Sequence, residues 1–377
     1  HAVEYFVEGA DFVINGEGEV TLGELLEDLS GRAQLGLAGI RGLSWPDGNG
    51  AACRTEPRPV MADLDVMPFP AWDKVDIARY RGIWLKRHGR FSINMATTRG
   101  CPYHCNWCAK PIWGQRYNSR SPQNVVEELG WLKDLYQPDH IWFADDIMGI
   151  KPGWVQEFAD LVEKRGVRTP FKSLNRPDLL LKSDTIPALK RAGCEVCWMG
   201  AESGSQKILD AMEKGTTVGQ IYEARRRLQD VGIKVGFFLQ FGYPGETWDD
   251  IEKTIQMVKD CKPDDIGISV SYPLPGTKFY ERVKNELGDK QNWEDSDDLA
   301  MLYQGPYPTE FYRKLHKILH KEFRRRLALQ ELSGVLDRPW QIGRKDLRHF
   351  GRTVLNSVTL PFDQQSLRRL ERQSRIS

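Results

Sequence analysis

Between residues 91 and 287 the sequence alternates short β-type runs with longer helical patterns six times over. No other feature limits the fold so strongly, because consecutive parallel strands need a crossover of a dozen or more residues, and an amphipathic helix is the usual one. The runs fall at 91–97, 140–144, 171–174, 195–200, 234–241 and 265–270. Ser121-Pro122 offers a cap with proline at the first helical position, Pro152 offers a second proline start, and Thr247 with Asp250 has the form of a capping box. Val125, Leu129, Leu132 and Tyr136 share one helical face. With right-handed crossovers, six such units curl into a partial (βα)6 TIM-like barrel, an α/β architecture that receives ligands at the C-terminal ends of its strands.

This reading divides the chain into four. Residues 1–42 resemble the end of a doubly wound α/β domain, with β-type runs at 5–7 and 12–14, a Gly16-Glu17-Gly18 turn and a helix from Thr21. The opening stretch, starting at His1, reads like the middle of a domain, so further chain is expected upstream. Residues 43–90 carry Pro57, Pro59, Pro68 and Pro70 and read as a linker. The barrel takes 91–287. Residues 288–377 form a basic, mainly helical region behind an acidic connection at 295–298. From residue 311 onward there are 16 Lys and Arg against 6 Asp and Glu, a net +10, so with a total of +1 the rest of the chain carries −9. Phe311, Leu315, Ile318 and Leu319 with Arg313, Lys314, Lys317 and Lys321 make a basic amphipathic helix there. Its preferred reading is a helix docked on the barrel with a solvated basic face; peripheral membrane contact is the alternative. The tail also holds Trp340 and Phe350 but no nucleic-acid-binding module, so nucleic acid is not favoured as a partner. No apolar run is long enough to cross a bilayer, and the first residues carry neither a basic n-region nor a cleavable apolar segment, so a cytoplasmic location is expected.

Seven cysteines, three of them in Gly100-Cys101-Pro102-Tyr103-His104-Cys105-Asn106-Trp107-Cys108, suit thiolate metal ligands in a reducing compartment better than a disulfide framework. The loop directly follows the first barrel strand. Cys101, Cys105 and Cys108, spaced by four and three, can converge on one iron–sulfur cubane and leave its fourth iron open to a small molecule. Structural zinc would demand four closed ligands, and His104 is poorly placed to be the fourth. Cys194 and Cys197 are three apart in a strand and face opposite sides, while Cys53 and Cys261 are distant, so these four read as core residues.

The Cys-x-x-x-Cys-x-aromatic-Cys loop, preceded by Thr98-Arg99-Gly100, resembles the signature of radical S-adenosylmethionine (SAM) enzymes. The resemblance covers about residues 92 to 283. It implies a [4Fe–4S] cluster whose open iron chelates the methionine part of SAM, and one-electron cleavage of the sulfonium to a 5′-deoxyadenosyl radical that takes a hydrogen atom from substrate. By the same resemblance Trp107 lies near the adenine, and Asp145 or Asp146 at the second strand end receives the methionine ammonium. Asp145 and Asp146 could equally be helix caps. Glu202 and Ser203, in Gly200-Ala201-Glu202-Ser203-Gly204, match positions that bind the ribose hydroxyls and the methionine portion. Arg176 is a candidate for the cofactor carboxylate, or else a salt-bridge partner of Glu202; Lys214 is a weaker candidate, since a lone lysine is more often solvated. Gln240, Gly242 and Pro244, in Gln240-Phe241-Gly242-Tyr243-Pro244-Gly245-Glu246-Thr247, resemble the adenine-side loop, and Tyr272-Pro273-Leu274-Pro275-Gly276-Thr277 is a further family-like segment.

Residues 10–19 resemble the end of the cobalamin-binding domain that precedes many such enzymes, and Cys108-Ala109-Lys110-Pro111-Ile112-Trp113-Gly114 resembles the subgroup of anaerobic magnesium-protoporphyrin monomethyl ester cyclases and cobalamin-dependent methyltransferases. The implied activity is cobalamin-dependent methylation, or cyclisation and oxidation, of a small or lipid-like metabolite. The implied partner is an external one-electron donor such as flavodoxin or ferredoxin. The alternatives are a radical SAM enzyme that modifies RNA or peptide without cobalamin, and a non-catalytic metal-binding protein.

Overall fold

A computed structural model of the chain describes residues 2–49, 51–290, 299–336 and 344–374. The acidic stretch 295–298 and Trp340 lie outside the described residues. The chain forms two compact units: His1–His104 with Lys110–Leu174 and Arg191–Cys194, and Cys105–Ala109 with Asn175–Lys190 and Glu195–Ser377.

The first unit holds three parallel strands, β1 (Ser92–Met95), β2 (His140–Phe143) and β3 (Phe171–Asn175), in register Ser92↔His140 and Ile141↔Phe171. Two helices supply the crossovers, α1 (Pro122–Tyr136) and α2 (Trp154–Arg165). Ser121 caps α1 as expected, its side chain accepting the Asn124 N–H. Helix α2 departs from the expectation: it starts at Trp154, with Gly153 rather than Pro152 at its cap. Gly153 sits at φ +79°, a left-handed position that glycine takes without steric cost. Val125, Leu129 and Leu132 are buried, and Phe143, Phe158 and Phe171 meet edge to face at 5.1 to 6.2 Å.

Two expectations for the N-terminal stretch are corrected. Residues Ala2–Val7 form a helix, not a strand at 5–7: the run is too short for its periodicity to separate the two. The segment read as linker contains strands Leu43–Pro46 and Ala52–Arg54, and the first pairs antiparallel with Val13–Ile14. Leu25, Ile40 and Leu43 close a small core beneath this ribbon with Phe12, Ile14, Leu37 and Trp45.

The second unit repeats the parallel arrangement with β4 (Cys194–Glu202), β5 (Lys234–Phe241) and β6 (Asp265–Val270), β5 lying between the other two. Its crossover helices are α3 (Val218–Asp230) and α4 (Trp248–Cys261), each opened by a capping box, Thr217 with Gln220 and Thr247 with Asp250. Two long helices follow, α5 (Thr309–Leu336) and α6 (Arg344–Ser374). Phe311, Leu315, Ile318 and Leu319 are all buried, so the apolar stripe of the basic helix is spent within its own unit. Among the described residues no helix is long and apolar enough to cross a membrane.

Candidate active site

The approach to the cysteine loop is held in the first unit by two carboxylates. Asp145, just past the end of β2, is buried and accepts the Thr97 N–H at 2.6 Å, the Thr97 hydroxyl at 2.6 Å and the Thr98 N–H at 2.9 Å. Burial pushes its carboxyl up to about 6 even against these three donors. Asp145 therefore fixes the chain two residues before Arg99, whereas Asp146 is exposed. Glu17 holds the next residues: one oxygen accepts from Arg99 Nη1 at 2.9 Å and from Trp113 Nε1 at 2.9 Å, the other from the Met61 N–H at 2.6 Å. Glu19 adds a second ion pair to Arg99. Nothing in the spacing of Gly16-Glu17-Gly18-Glu19 marks Glu17 for this role, because its partners lie 44 to 96 residues away. Thr97→Val, which removes one donor to Asp145, is expected to cost about 1–2 kcal/mol at pH 8. The cost should shrink at pH 5, where the carboxyl is mostly protonated; urea unfolding at the two pH values checks it.

The second unit anchors the other end of the loop through Asn106, which is buried. Its N–H donates to Met212 O at 3.0 Å, its side-chain amide donates to Ala211 O at 2.8 Å and accepts from Tyr243 Oη at 2.8 Å, and its carbonyl accepts the Phe279 N–H at 2.9 Å. One residue between Cys105 and Trp107, through its backbone and its side chain, thus ties this part of the loop to the segments that follow β4, β5 and β6. Arg176, at the end of β3, is 3% exposed; it donates to Asp178 at 3.0 Å and to Lys214 O at 2.8 Å, and its Nη1 lies 3.9 Å from Cys105 Sγ. The expected alternative, a bridge from Arg176 to Glu202, is not formed. Glu202 pairs instead with Lys214 at 2.8 Å, both side chains 7% exposed, which corrects the expectation that Lys214 is solvated. Glu202 and Glu213 adopt the left-handed region at φ +59° and +53°, strain of the kind that marks functional positions.

The remaining candidates fall into two groups. Ser203 is fully buried with its hydroxyl 3.1 Å from that of Thr254, and Gln240 donates to Ser271 Oγ at 3.0 Å. Gly242 turns at φ +81° and donates its N–H to Glu246 at 2.7 Å, one residue pair from Pro244. Trp107 Nε1 is buried without a hydrogen-bond partner. Cys101, Cys105 and Cys108 are half-buried thiols outside any disulfide, Cys101 in the first unit and the others in the second. Among the described residues no three His, Cys, Asp or Glu side chains converge closely enough to hold a metal ion. The donor set nevertheless fits a cluster: three soft thiols on one continuous eight-residue tether, with an arginine N–H aimed at the central sulfur.

The radical SAM superfamily pattern matches residues 95–258, from the last residue of β1 into α4. The chain carries a radical SAM domain. Such a domain implies a [4Fe–4S] cluster and SAM as cofactors. The radical SAM chain is 30% identical over 316 residues to an uncharacterized methyltransferase of Pyrococcus horikoshii, covering 83% of this chain and 66% of that one. It is 28% identical over 283 residues to the anaerobic magnesium-protoporphyrin IX monomethyl ester cyclase of Rubrivivax gelatinosus, covering 74% of this chain and 49% of the relative. The chain thus spans about half to two thirds of the length of these relatives. Its fold is that of the radical SAM methyltransferase TsrM from Kitasatospora setae, solved with cobalamin and a [4Fe–4S] cluster, at a TM-score of 0.62 and 23% identity over 78% of this chain and 60% of that one.

Proposed function

We propose that this chain cleaves SAM reductively at a [4Fe–4S] cluster held by Cys101, Cys105 and Cys108, and directs the radical to cobalamin-dependent methylation or to cyclisation of a small, largely apolar metabolite. The observation that carries the reading is the double anchoring of the cysteine loop. Asp145 and Glu17 fix its entry, and Asn106 fixes its middle. Backbone restrained at the loop's entry and at Asn106 leaves fewer residues to order when a metal binds, which favours ligand geometry. When bound, the cluster supplies one electron and an open iron for the amino and carboxylate groups of SAM. The chain's own contribution is positional. Arg176 donates toward Cys105 and so tunes the cluster's surroundings, and the Lys214 ammonium holds the Glu202 carboxylate in one orientation for the ribose or methionine polar groups. Gly200 makes room for that pair, since a Cβ there would lie 2.7 Å from Lys214 Nζ and 2.8 Å from Glu202 Oε1. The cobalamin and the choice between methylation and cyclisation are supported by the names of the relatives and by residues 10–19.

The test is anaerobic reconstitution of the full chain with iron and sulfide, then dithionite and SAM, with cobalamin added or omitted. Iron and sulfide should load in the wild type and fall to background in Cys105→Ala, and 5′-deoxyadenosine should form only in the former. S-adenosylhomocysteine that appears only with cobalamin selects methyl transfer over cyclisation. Failure of the wild type to load any cluster would sink the reading.

A further inference from the structure

The strands of the second unit have two unlike faces. On one, Cys197, Met199, Ala201, Val235, Phe237, Leu239, Phe241, Ile266 and Val270 are all at most 3% exposed and form the core. The other face carries Trp198, Gly200 and Glu202 on β4, Gly236, Phe238 and Gln240 on β5, and Gly267 and Ser269 on β6. Such a face should be polar if it meets only water, and branched and continuous if it packs under a helix. This one is neither. Its lower rows hold two aromatics and three glycines, and glycine inside a strand costs stability unless something must approach closely.

The register shows what approaches. Trp198 lies opposite Gly236, and Phe238 lies between Gly200 on one side and Gly267 on the other. A Cβ on Gly236 would meet the Trp198 ring at 2.4 to 2.7 Å, so the indole lies flat on the backbone of β5. A Cβ on Gly267 would stand 3.3 Å from both Trp198 and Phe238. The two rings come within 4.6 Å, centroid to centroid, tilted by 32°. Phe238 remains 38% exposed and Trp198 is only half-buried. The glycines therefore seat Trp198 flat on β5 with Phe238 stacked against it at an offset, so that Phe238 carries the outer ring face, and the Glu202–Lys214 pair lies over Gly200 on the neighbouring strand, whose Cβ position is 2.7 Å from Lys214 Nζ and 2.8 Å from Glu202 Oε1.

We infer that Phe238, backed by Trp198, forms a platform on which a planar, conjugated ring system of the substrate stacks, its edge directed toward Glu202. The inference rests on the proposed function for the identity of the ligand as substrate. The chemistry of the surface selects the class. An aromatic face backed by a second ring rewards a flat π-system through offset stacking, and rewards a puckered saturated polycycle only through contact area. Gln240 is engaged with Ser271 and the Lys214 ammonium with Glu202, so the ring face selects by shape and polarisability.

The test titrates zinc protoporphyrin IX, as a flat conjugated probe, and a saturated pentacyclic triterpenoid, as a puckered one, into the full chain. Both titrations are repeated on Trp198→Leu and Phe238→Leu, with far-UV circular dichroism and iron loading as checks of folding. The porphyrin should bind the wild type, and about tenfold or more weaker to Phe238→Leu, with a smaller loss in Trp198→Leu. Should Trp198→Leu fail to fold, the exposed Phe238 position still decides the question, because leucine there keeps the apolar volume and removes only the ring. Equal binding by wild type and folded variants, no binding at all, or preference for the triterpenoid would overturn the inference. Cys105→Ala is expected to bind the porphyrin as the wild type does, because the platform contains no cluster ligand. Loss of cluster loading in the wild type with stacking intact would count against the proposed function alone; a loaded cluster with binding indifferent to both rings would count against the platform alone.

Discussion

Gly100→Ala is expected to cost the protein both stability and iron. Gly100 stands at φ +79°, and a Cβ built on it would lie 2.3 Å from the carbonyl oxygen of Arg116 and 3.0 Å from Trp113 Cβ. Two penalties coincide. A residue with a Cβ in the left-handed region costs about 1 kcal/mol, and contact with a backbone oxygen at that distance cannot be relieved by turning a side chain. The segment 100–101 or the segment 113–116 must move, which on the scale of strained backbone positions adds about 1–3 kcal/mol. Trp113 is also held by Glu17, so movement there disturbs the brace on Arg99. Urea unfolding should show the lost stability, and iron per chain after reconstitution should fall below half of the wild-type value. Gly114→Ala is the control. Gly114 also has a positive φ, +59°, but nothing lies within 4 Å of its Cβ position, so only the conformational penalty of about 1 kcal/mol applies and iron loading should stay normal. Equal behaviour of the two variants would mean that the loop does not depend on the close approach at Gly100.

The contrast between these two glycines shows what the sequence could carry and what it could not. Both stand in the same loop region and neither differs in composition, so their difference exists only through the contact of Gly100 with Arg116, 16 residues on. Local rules worked where the cause was local. The strands at 234–241 and 265–270 were legible because Val235, Phe237, Leu239 and Phe241, and Ile266, Ile268 and Val270, place apolar side chains at every second position, and the Thr247 and Ser121 starts were legible because a cap and its hydrogen-bond partner are three residues apart. The start at Pro152 was misplaced by two residues because the loop before α2 needs a left-handed turn, and Gly153 supplies it. Lys214 read as solvated since its sequence neighbours are unremarkable; its buried partner Glu202 lies twelve residues earlier, at the end of β4. Asn106 escaped notice for a related reason. Polar residues between cysteines are common in exposed loops, and only the folded chain gathers Ala211, Met212, Tyr243 and Phe279 around this one.

Those long-range contacts also explain why the motifs at successive strand ends behave as one object. Tyr243 belongs to the segment after β5, and Phe279 follows the segment after β6, yet both are bonded to the residue beside Cys105. A change in any of these segments is therefore felt by the cysteine loop through a single residue, Asn106. Buried, fully satisfied polar groups of this kind rigidify their surroundings, and rigidity at the ligands is what a site must have before chemistry can be aimed.

Glu246→Gln is expected to make the protein more stable, by an amount that grows with pH. Glu246 is buried, with one oxygen accepting the Gly242 N–H and the other lacking a partner among the described residues. Burial first, and Asp250 second, raise its carboxyl from an ordinary 4.5 to about 8, against the opposing help of the Gly242 N–H and Lys207. The sign follows from proton linkage. Below pH 4.5 the acid is protonated in both folded and unfolded chains and contributes its full share of stability. Between 4.5 and 8 the unfolded chain ionises freely while the folded one does not, so stability is lost as pH rises, to a total on the order of 4 kcal/mol. Glutamine resembles the protonated acid, can still accept from Gly242, and does not titrate. Tyr303 and Tyr312, whose phenols are themselves pushed far up by burial and by Glu246, stay neutral throughout this range, and Asp250, held well below the usual carboxylate range by Lys207, Ser205 and Thr247, stays charged. The stability difference between the two proteins, measured by urea unfolding from pH 5 to pH 8, should thus isolate one group: near zero at the acid end and widening steadily above it. Parallel profiles would show that Glu246 is ionised in the folded chain, and that the turn after β5 is held by a charge rather than by a neutral acid.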